Sequence, residues 1–279
     1  YVLILSGDHI YKMDYDKMLE AHKAAGAACT IACMKVPMKE ASRFGILNTN
    51  PDGTIYEFEE KPKQPKSDLA SMGIYIFTAS KLFNYLELDE KDPKSEKDFG
   101  KNVLPAMLNA GEKMYSYRFE GYWKDVGTIS SLWEANMDLL GAVPKFDLRD
   151  TERVIHSRSP LAPPAYVQGE VVNCMIANGC DIEGKVVNSV IGTNCVIEKG
   201  AEVKDCVLMG NTVVKAGAKV NYSIIDEEVT IGKNAVVGEV IEKASKLEGK
   251  TSGITVLGRG ITVGDGKSVP AGEIIDKNV

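Results

Sequence analysis

Several features that mark other classes of protein are absent from this chain of 279 residues. No apolar run approaches the roughly 20 residues that a membrane-spanning helix needs. Lysine and arginine form no block, and the net charge is −6, so neither a nucleic-acid-binding nor a membrane-binding surface is expected. What is present, 44% hydrophobic and 26% charged residues, fits a globular protein of one large or two ordinary domains.

The six cysteines do not form a metal-binding or disulfide pattern. Cys29 and Cys33 have no second close pair at ligand spacing, and the other four fall in a repeat where a small buried residue is needed. We therefore expect reduced thiols in a cytoplasmic protein. The chain starts at Tyr1, inside an apolar run, and we expect the natural N-terminus to lie upstream.

Strand and helix signals alternate over residues 1–140. The apolar run Tyr1–Leu5 is typical of a strand that is covered on both faces. Asp14 is placed to cap a helix that ends before Gly26, and Asn50–Gly53 predicts a turn between two strands. This alternation predicts an α/β sheet with helices on its faces.

The second half of the chain has a different pattern. Residues 141–168 are rich in proline and carry little periodicity, which predicts a linker. From residue 169 to 279 aliphatic residues recur six apart, with two one-residue shifts. They are Ile191, Ile197, Val203, Met209, Val214, Val220, Ile225, Ile231 and Val237. Hexads of this kind predict a left-handed parallel β-helix, triangular in section, with these residues inside.

The last part of the repeat is less regular. After a loop that begins near Glu242, we expect a final coil with Ile254, Val256, Ile261 and Val263 pointing inward. Many hexapeptide β-helices are acyltransferases, which commonly use a histidine base in the coils. The three histidines here, His9, His22 and His156, lie outside the repeat, so the acyltransferase class is disfavoured.

Two isolated carboxylates lie more than a hundred residues apart, each beside a glycine that lets a ligand approach the backbone. Asp8 stands in Ser-Gly-Asp-His at the end of the first apolar run, and Asp125 stands in Trp-Lys-Asp-Val-Gly-Thr. Such a pair can hold a divalent metal against phosphate oxygens. The alternatives are a turn aspartate at Asp8 and a charge favourable to a helix N-terminus at Asp125.

Two shorter motifs lie between these carboxylates. In Glu60-Lys61-Pro62 the proline fixes the chain just after a lysine that can meet a phosphate as a point charge; the alternative is a solvated turn. In Ser71-Met72-Gly73 a hydroxyl and the backbone can approach a ligand, the alternative being a glycine at a strand start.

The order of these motifs resembles the sugar-nucleotide pyrophosphorylases, most closely their ADP-glucose pyrophosphorylase branch. The resemblance covers essentially the whole chain. It implies a Rossmann-like, mostly parallel α/β nucleotidyltransferase domain, of which residues 1–140 are the later part, followed by the β-helix. The family's glycine-rich loop, which cradles nucleotide phosphates, does not occur in these residues, so we expect them to be inactive by themselves.

The resemblance also implies roles for single residues. Asp8 and Asp125 are expected to bind Mg²⁺ and to be needed for catalysis. Glu60 is expected to bond the hydroxyls of the sugar and Lys61 its phosphate. The residues expected to approach the sugar or the base are Ser71, Gly45 and Gly73.

The implied reaction transfers the adenylyl group of ATP to α-D-glucose 1-phosphate, giving ADP-glucose and pyrophosphate for glycogen synthesis. The implied assembly is a tetramer formed through the β-helix, with sites for metabolite effectors. Two alternatives stay open at this point: a non-catalytic regulatory subunit of the same enzyme, and a related enzyme that uses another base.

Overall fold

The computed structural model describes residues 1–152, 154–157, 160–247, 249 and 251–279. Contacts divide the chain into two compact units, Tyr1–Trp123 and Lys124–Val279. Three residues of the predicted linker, Arg153, Arg158 and Ser159, lie outside the described part of the chain. Among the described residues, no helix is both long and apolar enough to cross a membrane.

The first unit is a sheet with helices packed against it. Its strands are β1 (Val2–Ile4), β2 (His9–Tyr11), β3 (Cys29–Lys35), β4 (Gly45–Thr49), β5 (Ile55–Glu60), β6 (Leu69–Phe77) and β7 (Met114–Arg118), and β8 (Trp123–Asp125) begins at its last residue. Its helices are α1 (Tyr15–Ala25), α2 (Met38–Ala41), α3 (Ala79–Lys91) and α4 (Leu104–Asn109), the last preceded by a π-helical turn, Phe99–Val103.

The sheet of this unit is mixed. Its strand order is β5-β4-β6-β3-β7, with β1 also paired to β6. Among its described pairings, β3 with β7 is parallel, whereas β1–β6, β3–β6, β4–β5 and β4–β6 are antiparallel. The expected α/β class is confirmed, but the expectation of a mostly parallel sheet is wrong here. The reason is that short turns such as Asn50–Gly53 join neighbouring strands without a crossover helix.

Apolar clusters lie on both faces of the sheet. Helix α1 buries Met18 against Met72 and Ile74 on one face, and Leu82 and Leu104 pack with Phe77 on the other. The predicted ends of α1 are confirmed: the Asp14 carboxylate accepts from the backbone N–H of Lys17, and Gly26 adopts the left-handed conformation at φ 57°. This packing fixes the strand ends that carry the candidate site.

Strand β1 is covered on one face only, in contrast to the expectation for Tyr1–Leu5. Val2 and Ile4 pack against the core, whereas Tyr1, Leu3 and Leu5 are 65%, 40% and 45% exposed. Because successive side chains of a strand point to opposite faces, the apolar run alternates between a packed and an open side.

The second unit begins with helix α5 (Ile129–Met137) and continues as a ladder of short strands. The strands are β9 (Tyr166–Val167), β10 (Val171–Val172), β11 (Met175–Ile176), β12 (Asp181–Ile182), β13 (Lys185–Val187), β14 (Val190–Ile191), β15 (Val196–Ile197), β16 (Glu202–Lys204), β17 (Val207–Leu208), β18 (Val213–Val214), β19 (Lys219–Asn221), β20 (Ser223–Ile225), β21 (Thr230–Ile231) and β22 (Val236–Val237). After helix α6 (Ile241–Ala244) come β23 (Thr255–Leu257), β24 (Thr262–Val263), β25 (Ser268–Val269) and β26 (Ile274–Ile275).

Each strand of this ladder pairs in parallel with the third strand after it. The described strands from β9 to β26 therefore form three six-stranded sheets. For example, Val203 pairs with Val186 and Val220 in neighbouring coils. One aliphatic side chain per strand enters a common core, and Ile197, Val214 and Ile231 are each 0% exposed. The predicted parallel β-helix is confirmed.

Two inward positions differ from the expectation by one residue. Leu208, 1% exposed, occupies the core position predicted for Met209, and Leu257 occupies the one predicted for Val256. Met209 and Val256 lie instead in a second apolar cluster outside the coils. Ile254 belongs to that outer cluster as well, whereas Ile261 and Val263 point inward as predicted.

Candidate active site

The first carboxylate of the candidate site is presented to solvent. Asp8 follows β1 in a short loop, and its side chain is 58% exposed. The Ser6 hydroxyl donates to Asp8 Oδ1 at 2.8 Å, and His9 Nε2 lies 3.5 Å from the same oxygen. The carboxylate is thus oriented by its neighbours but open on one side. An exposed carboxylate oxygen is the kind of ligand that Mg²⁺ and Ca²⁺ prefer.

His9 holds this loop against the sheet. Its Nδ1 lies 2.8 Å from the carbonyl oxygen of Met72, and a carbonyl can only accept, so Nδ1 carries the hydrogen and donates it. The Trp123 indole nitrogen lies 3.4 Å from the same Nδ1. Because that nitrogen already donates, we treat the Trp123 approach as an edge-to-face packing contact, with ring centroids 5.2 Å apart. This geometry favours an orienting role for His9.

A bulge in β6 brings Gly73 to this loop, and the Ser71 hydroxyl in the same bulge accepts from the Gly73 N–H at 3.2 Å. Ala32 of β3 pairs with Ile74, but the next residue, Cys33, pairs with Ser71, so the β6 strand has extra residues at this point. Gly73 has φ 64°, which a glycine adopts without strain. A Cβ there would lie 3.3 Å from both His9 Cε1 and Ser6 Cβ. Gly73 therefore lies inside a longer strand, not at a strand start.

Glu60 is held in a narrow slot at the end of β5. It pairs with Gly45 across the sheet, and its side chain is 23% exposed. A Cβ on Gly100 would lie 2.6 Å from Glu60 Oε2, and one on Gly45 would lie 2.9 Å from it. Burial raises the pKa of the Glu60 carboxyl above its ordinary value, and the charge of Lys61 partly opposes that rise. The two glycines therefore make room for a partly desolvated carboxylate.

Lys61 is positioned by its backbone while its side chain stays free to reach a ligand. Its φ is 47°, which is unusual for a residue with a side chain. Its N–H donates to the Phe44 carbonyl at 3.1 Å, and its Nζ lies 3.7 Å from Glu60 Oε1, with the side chain 67% exposed. Uncommon backbone conformations concentrate at functional sites.

Two aromatic residues connect the Asp8 loop with the Glu60 slot. The Phe44 ring lies 5.3 Å from the Trp123 ring, centroid to centroid, and Trp123 in turn packs against His9. The bridging position of Trp123 and the place of Gly100 beside Glu60 were not predicted from the sequence. The neighbouring Asp98 caps the π-helical turn by accepting from the Lys101 N–H at 2.9 Å.

The second carboxylate belongs to the second unit. Asp125 ends β8, and its Oδ1 accepts from the Gly127 N–H at 2.8 Å. Thr128 then caps α5, with a reciprocal hydrogen-bond pair between Thr128 and Ser131. Asp125 is thus fixed just before a helix N-terminus, where a negative charge is favourable. Like Asp8, it offers hard oxygen ligands that suit Mg²⁺ rather than zinc.

Two open pockets of the protein lie away from these residues. One, of about 410 Å³, is lined in part by Pro51, Asp52 and Tyr115, and the other, of about 490 Å³, by Leu140, Arg149 and Cys174 among others. None of the predicted site residues lines either pocket. The candidate site of the first unit is therefore a surface at strand ends and in loops, not one of these pockets.

Comparison with known families fits this geometry. A nucleotidyl transferase model matches residues 1–141, and a model of the GlmU-like C-terminal hexapeptide region matches residues 163–257. The chain belongs to the nucleotidyl transferase family. Its similarity is more specific than that, because curated relatives at 46% to 55% identity carry the name glucose-1-phosphate adenylyltransferase, the systematic name of the enzymes expected from the motif order.

Three of these relatives illustrate the match. The Acetivibrio thermocellus protein is 46% identical over 99% of this chain and 66% of its own length. The Clostridium perfringens SM101 protein is 55% identical over 77% of this chain and 56% of its own length. The Desulforamulus reducens protein is 47% identical over 100% of this chain and 68% of its own length. The chain thus spans roughly half to two thirds of the length of these relatives.

Proposed function

We propose that the full-length protein transfers the adenylyl group of ATP to α-D-glucose 1-phosphate, giving ADP-glucose and pyrophosphate for glycogen synthesis. The names of the relatives support this reaction. The observation that carries it at the site is the Glu60 slot, where Gly45 and Gly100 admit a half-buried carboxylate next to the exposed ammonium of Lys61. A carboxylate beside a lysine offers an acceptor for sugar hydroxyls and a cation for a phosphate.

In this reaction a phosphate oxygen of the sugar attacks the α-phosphorus of ATP, the new P–O bond forms, and the bond to the leaving pyrophosphate breaks. Side chains do little covalent chemistry in phosphoryl-group transfers of this kind, so rate enhancement comes from positioning and charge stabilisation. Lys61 holds the attacking phosphate, and Glu60 orients the sugar ring. Ser71 contributes its hydroxyl, while Gly45 and Gly73 let the backbone approach the sugar or base.

Asp8 and Asp125 hold the divalent metal, which we assign as Mg²⁺. Support comes from their hard oxygen atoms and from chain connectivity: Trp123 packs against His9, and Asp125 follows Trp123 by two residues, a span of at most about 7 Å. When bound, the ion stabilises negative charge on the transferring and leaving phosphates. The protein's own part is to fix both carboxylates, Asp8 through Ser6 and Asp125 through Gly127.

The test is pyrophosphate release by the full-length protein from glucose 1-phosphate and each nucleotide in turn. We expect turnover with ATP and much less with UTP or dTTP. Faster turnover with UTP or dTTP would support the alternative of another base. No turnover with any nucleotide, in a folded protein with Mg²⁺, would support the regulatory-subunit alternative.

We also propose that the protein assembles as a cytoplasmic tetramer through its β-helix. Side chains on the outside of the coils include exposed apolar residues that subunit contact would cover, and examples are Tyr166, Val172 and Ile274 at 58%, 49% and 55% exposure. The six described cysteines are free thiols, which fits a reducing compartment. Analytical ultracentrifugation tests the assembly, and a monomer at micromolar concentration would contradict it.

A further inference from the structure

Asp125 is linked to helix α5 by a hydrogen bond to Gly127 and, one residue on, by the capping hydrogen bonds of the helix. Its Oδ1 accepts from the Gly127 N–H at 2.8 Å, and the next residue, Thr128, is the N-cap of the helix. The Thr128 hydroxyl accepts from the Ser131 N–H at 3.1 Å, and the Ser131 hydroxyl accepts from the Thr128 N–H at 3.1 Å. Because the capping box satisfies the backbone donors at the helix start, we expect a displacement of α5 to move the Asp125 carboxylate with it.

The middle of α5 is anchored on the β-helix by Trp133. The indole N–H of Trp133 donates to the Asp205 carbonyl at 2.8 Å. Its ring meets the Tyr222 ring edge to face, with centroids 4.9 Å apart and planes at 82°. Tyr222 is 6% exposed, and Asp205 and Tyr222 are left-handed corner residues, at φ 56° and 39°. The anchor is therefore the corner of two successive coils, a stiff part of the β-helix.

The same row of corners also holds the chain beyond the end of α5. Asn173, Asn188 and Asp205 form a side-chain ladder, with hydrogen bonds of 2.8 Å and 2.6 Å between successive members. The Gly141 N–H donates to Asn173 Oδ1 at 2.9 Å. The apolar side of α5 completes the attachment, because Ile129, Leu132, Trp133 and Met137 pack against the cluster that contains Val207, Tyr222 and Ile224.

We propose that Trp133 is a positioning residue for Asp125, and that through it the corner row of the β-helix sets the position of the metal-binding carboxylate. Trp133 does not touch the reacting atoms; it fixes the helix whose N-terminal link carries Asp125. The inference rests on the proposed role of Asp125 in metal binding. It gives the β-helix a direct influence on metal affinity, in addition to any role in assembly.

The test compares Trp133→Phe and Trp133→Leu in the full-length protein. Phe keeps the ring contact with Tyr222 and loses the N–H, whereas Leu loses both. We expect the Kd for Mn²⁺, followed by the electron paramagnetic resonance signal of the free ion with ADP-glucose present, to rise about threefold in Trp133→Phe and about tenfold in Trp133→Leu, as expected for loss of one or two modest contacts. The Mg²⁺ concentration for half-maximal turnover should rise in parallel, with little change in KM for glucose 1-phosphate.

Two controls separate this role from general stability and from the proposed function. Ile182→Val removes a methylene from the β-helix core, where Ile182 is 0% exposed and makes no part of the α5 cluster; it should lower Tm without changing the Mn²⁺ Kd. Unchanged Mn²⁺ affinity in both Trp133 variants, or an equal change in Ile182→Val, would overturn the inference. Unchanged Mn²⁺ affinity in Asp125→Asn would instead overturn the metal role of Asp125 on which it rests.

Discussion

At the scale of single residues, Lys61 is the clearest test of the sugar-phosphate end. Its Nζ is exposed and lies near Glu60 at 3.7 Å, so it can act as a point charge toward a bound phosphate. We expect Lys61→Ala to raise KM for glucose 1-phosphate about tenfold or more, since a hydrogen bond to a charged group contributes about 1.5–3 kcal/mol. KM for ATP should change little. Steady-state kinetics with each substrate varied in turn gives both values.

Lys63 offers a matched control for this change. It is also an exposed lysine and lies two residues further along the chain, so Lys63→Ala removes the same charge from the same loop. We expect its KM values to stay within about twofold of the wild type, as for an ordinary surface substitution. If Lys61→Ala raises KM for ATP and not for glucose 1-phosphate, Lys61 contacts ATP and its proposed role is wrong.

We expect the charged Glu60 carboxylate to lower the stability of the fold and to contribute to substrate binding. Burial raises its pKa, so the folded protein binds the proton more tightly than the unfolded chain does. The cost of the charged form is therefore full above the folded pKa, shrinks as the pH falls through the window between the two pKa values, and is gone below the unfolded value. We expect Glu60→Gln to have a higher Tm than the wild type at about pH 7, and no advantage near pH 4.

The same substitution should weaken the reaction. Gln offers one acceptor oxygen and no charge, so we expect KM for glucose 1-phosphate to rise about tenfold while Tm rises. Calorimetry at the two pH values and kinetics on the same samples check both parts. A Glu60→Gln protein that is less stable at neutral pH would show that the Lys61 charge outweighs burial in the folded state.

The sequence pointed to the charged members of the proposed site but not to the residues that surround them. Glu60 and Lys61 stand out because a charged pair before a proline is a recognisable pattern. Gly100 did not stand out, because its role is to leave space for Glu60 Oε2, and Glu60 is about forty residues away in the chain. The adjacent Tyr122-Trp123 pair beside Asp125 was a visible signal for the aromatic bridge, but its contacts with His9 and Phe44 depend on the tertiary fold.

At the scale of elements, the β-helix was predictable because its core repeats along the sequence. The one-residue error at Met209 has a local cause. Between Val203 and Leu208 the chain turns through a single left-handed residue, Asp205 at φ 56°, so these two inward side chains are five positions apart and not six. Asn188 and Tyr222 make the same short corner in neighbouring coils. An asparagine or aspartate at a corner is a usable signal, because these residues tolerate the left-handed conformation.

The extent of β6, in contrast, could not be predicted from the sequence. The sequence left open that Gly73 stands at a strand start, but the strand is Leu69–Phe77 and passes through the glycine. A glycine within a strand pattern usually marks a bulge or a break, and only pairing with β3 distinguishes the two. The register change between Ala32 and Cys33 absorbs the extra residues and turns Gly73 toward the His9 loop.

The corrected register leads to a prediction for the β-helix. Leu208 is 1% exposed in the coil core, whereas Val236 is 37% exposed on the outside. Leu208→Ala leaves a cavity, and we expect it to lower the free energy of unfolding by about 2–5 kcal/mol. Val236→Ala should cost less than about 0.5 kcal/mol. Urea denaturation followed by circular dichroism measures both, and similar effects of the two changes would contradict the assignment of Leu208 to the core.

At the scale of the whole molecule, the two proposed metal ligands belong to different units. Asp8 is fixed by the loop after β1 in Tyr1–Trp123, and Asp125 is fixed at the start of α5 in Lys124–Val279. Each unit has its own apolar core. If both carboxylates hold the metal as proposed, the reaction needs both units folded.

A shared metal ion at Asp8 and Asp125 predicts a particular pattern of mutational effects in the full-length protein. Asp8→Asn and Asp125→Asn keep size and remove charge, and we expect each to lower kcat about a hundredfold or more, as for loss of one strong electrostatic contact. If both hold one ion, the first change already removes most of its benefit, so the double variant should be only slightly slower than either single one. Asp16→Asn, at an exposed position in α1, is the control for charge removal and should leave kcat unchanged. Turnover is measured as pyrophosphate release at saturating Mg²⁺. A single variant with wild-type turnover would remove that residue from the metal site, and effects that multiply in the double variant would show that the two carboxylates do not act on a common ion.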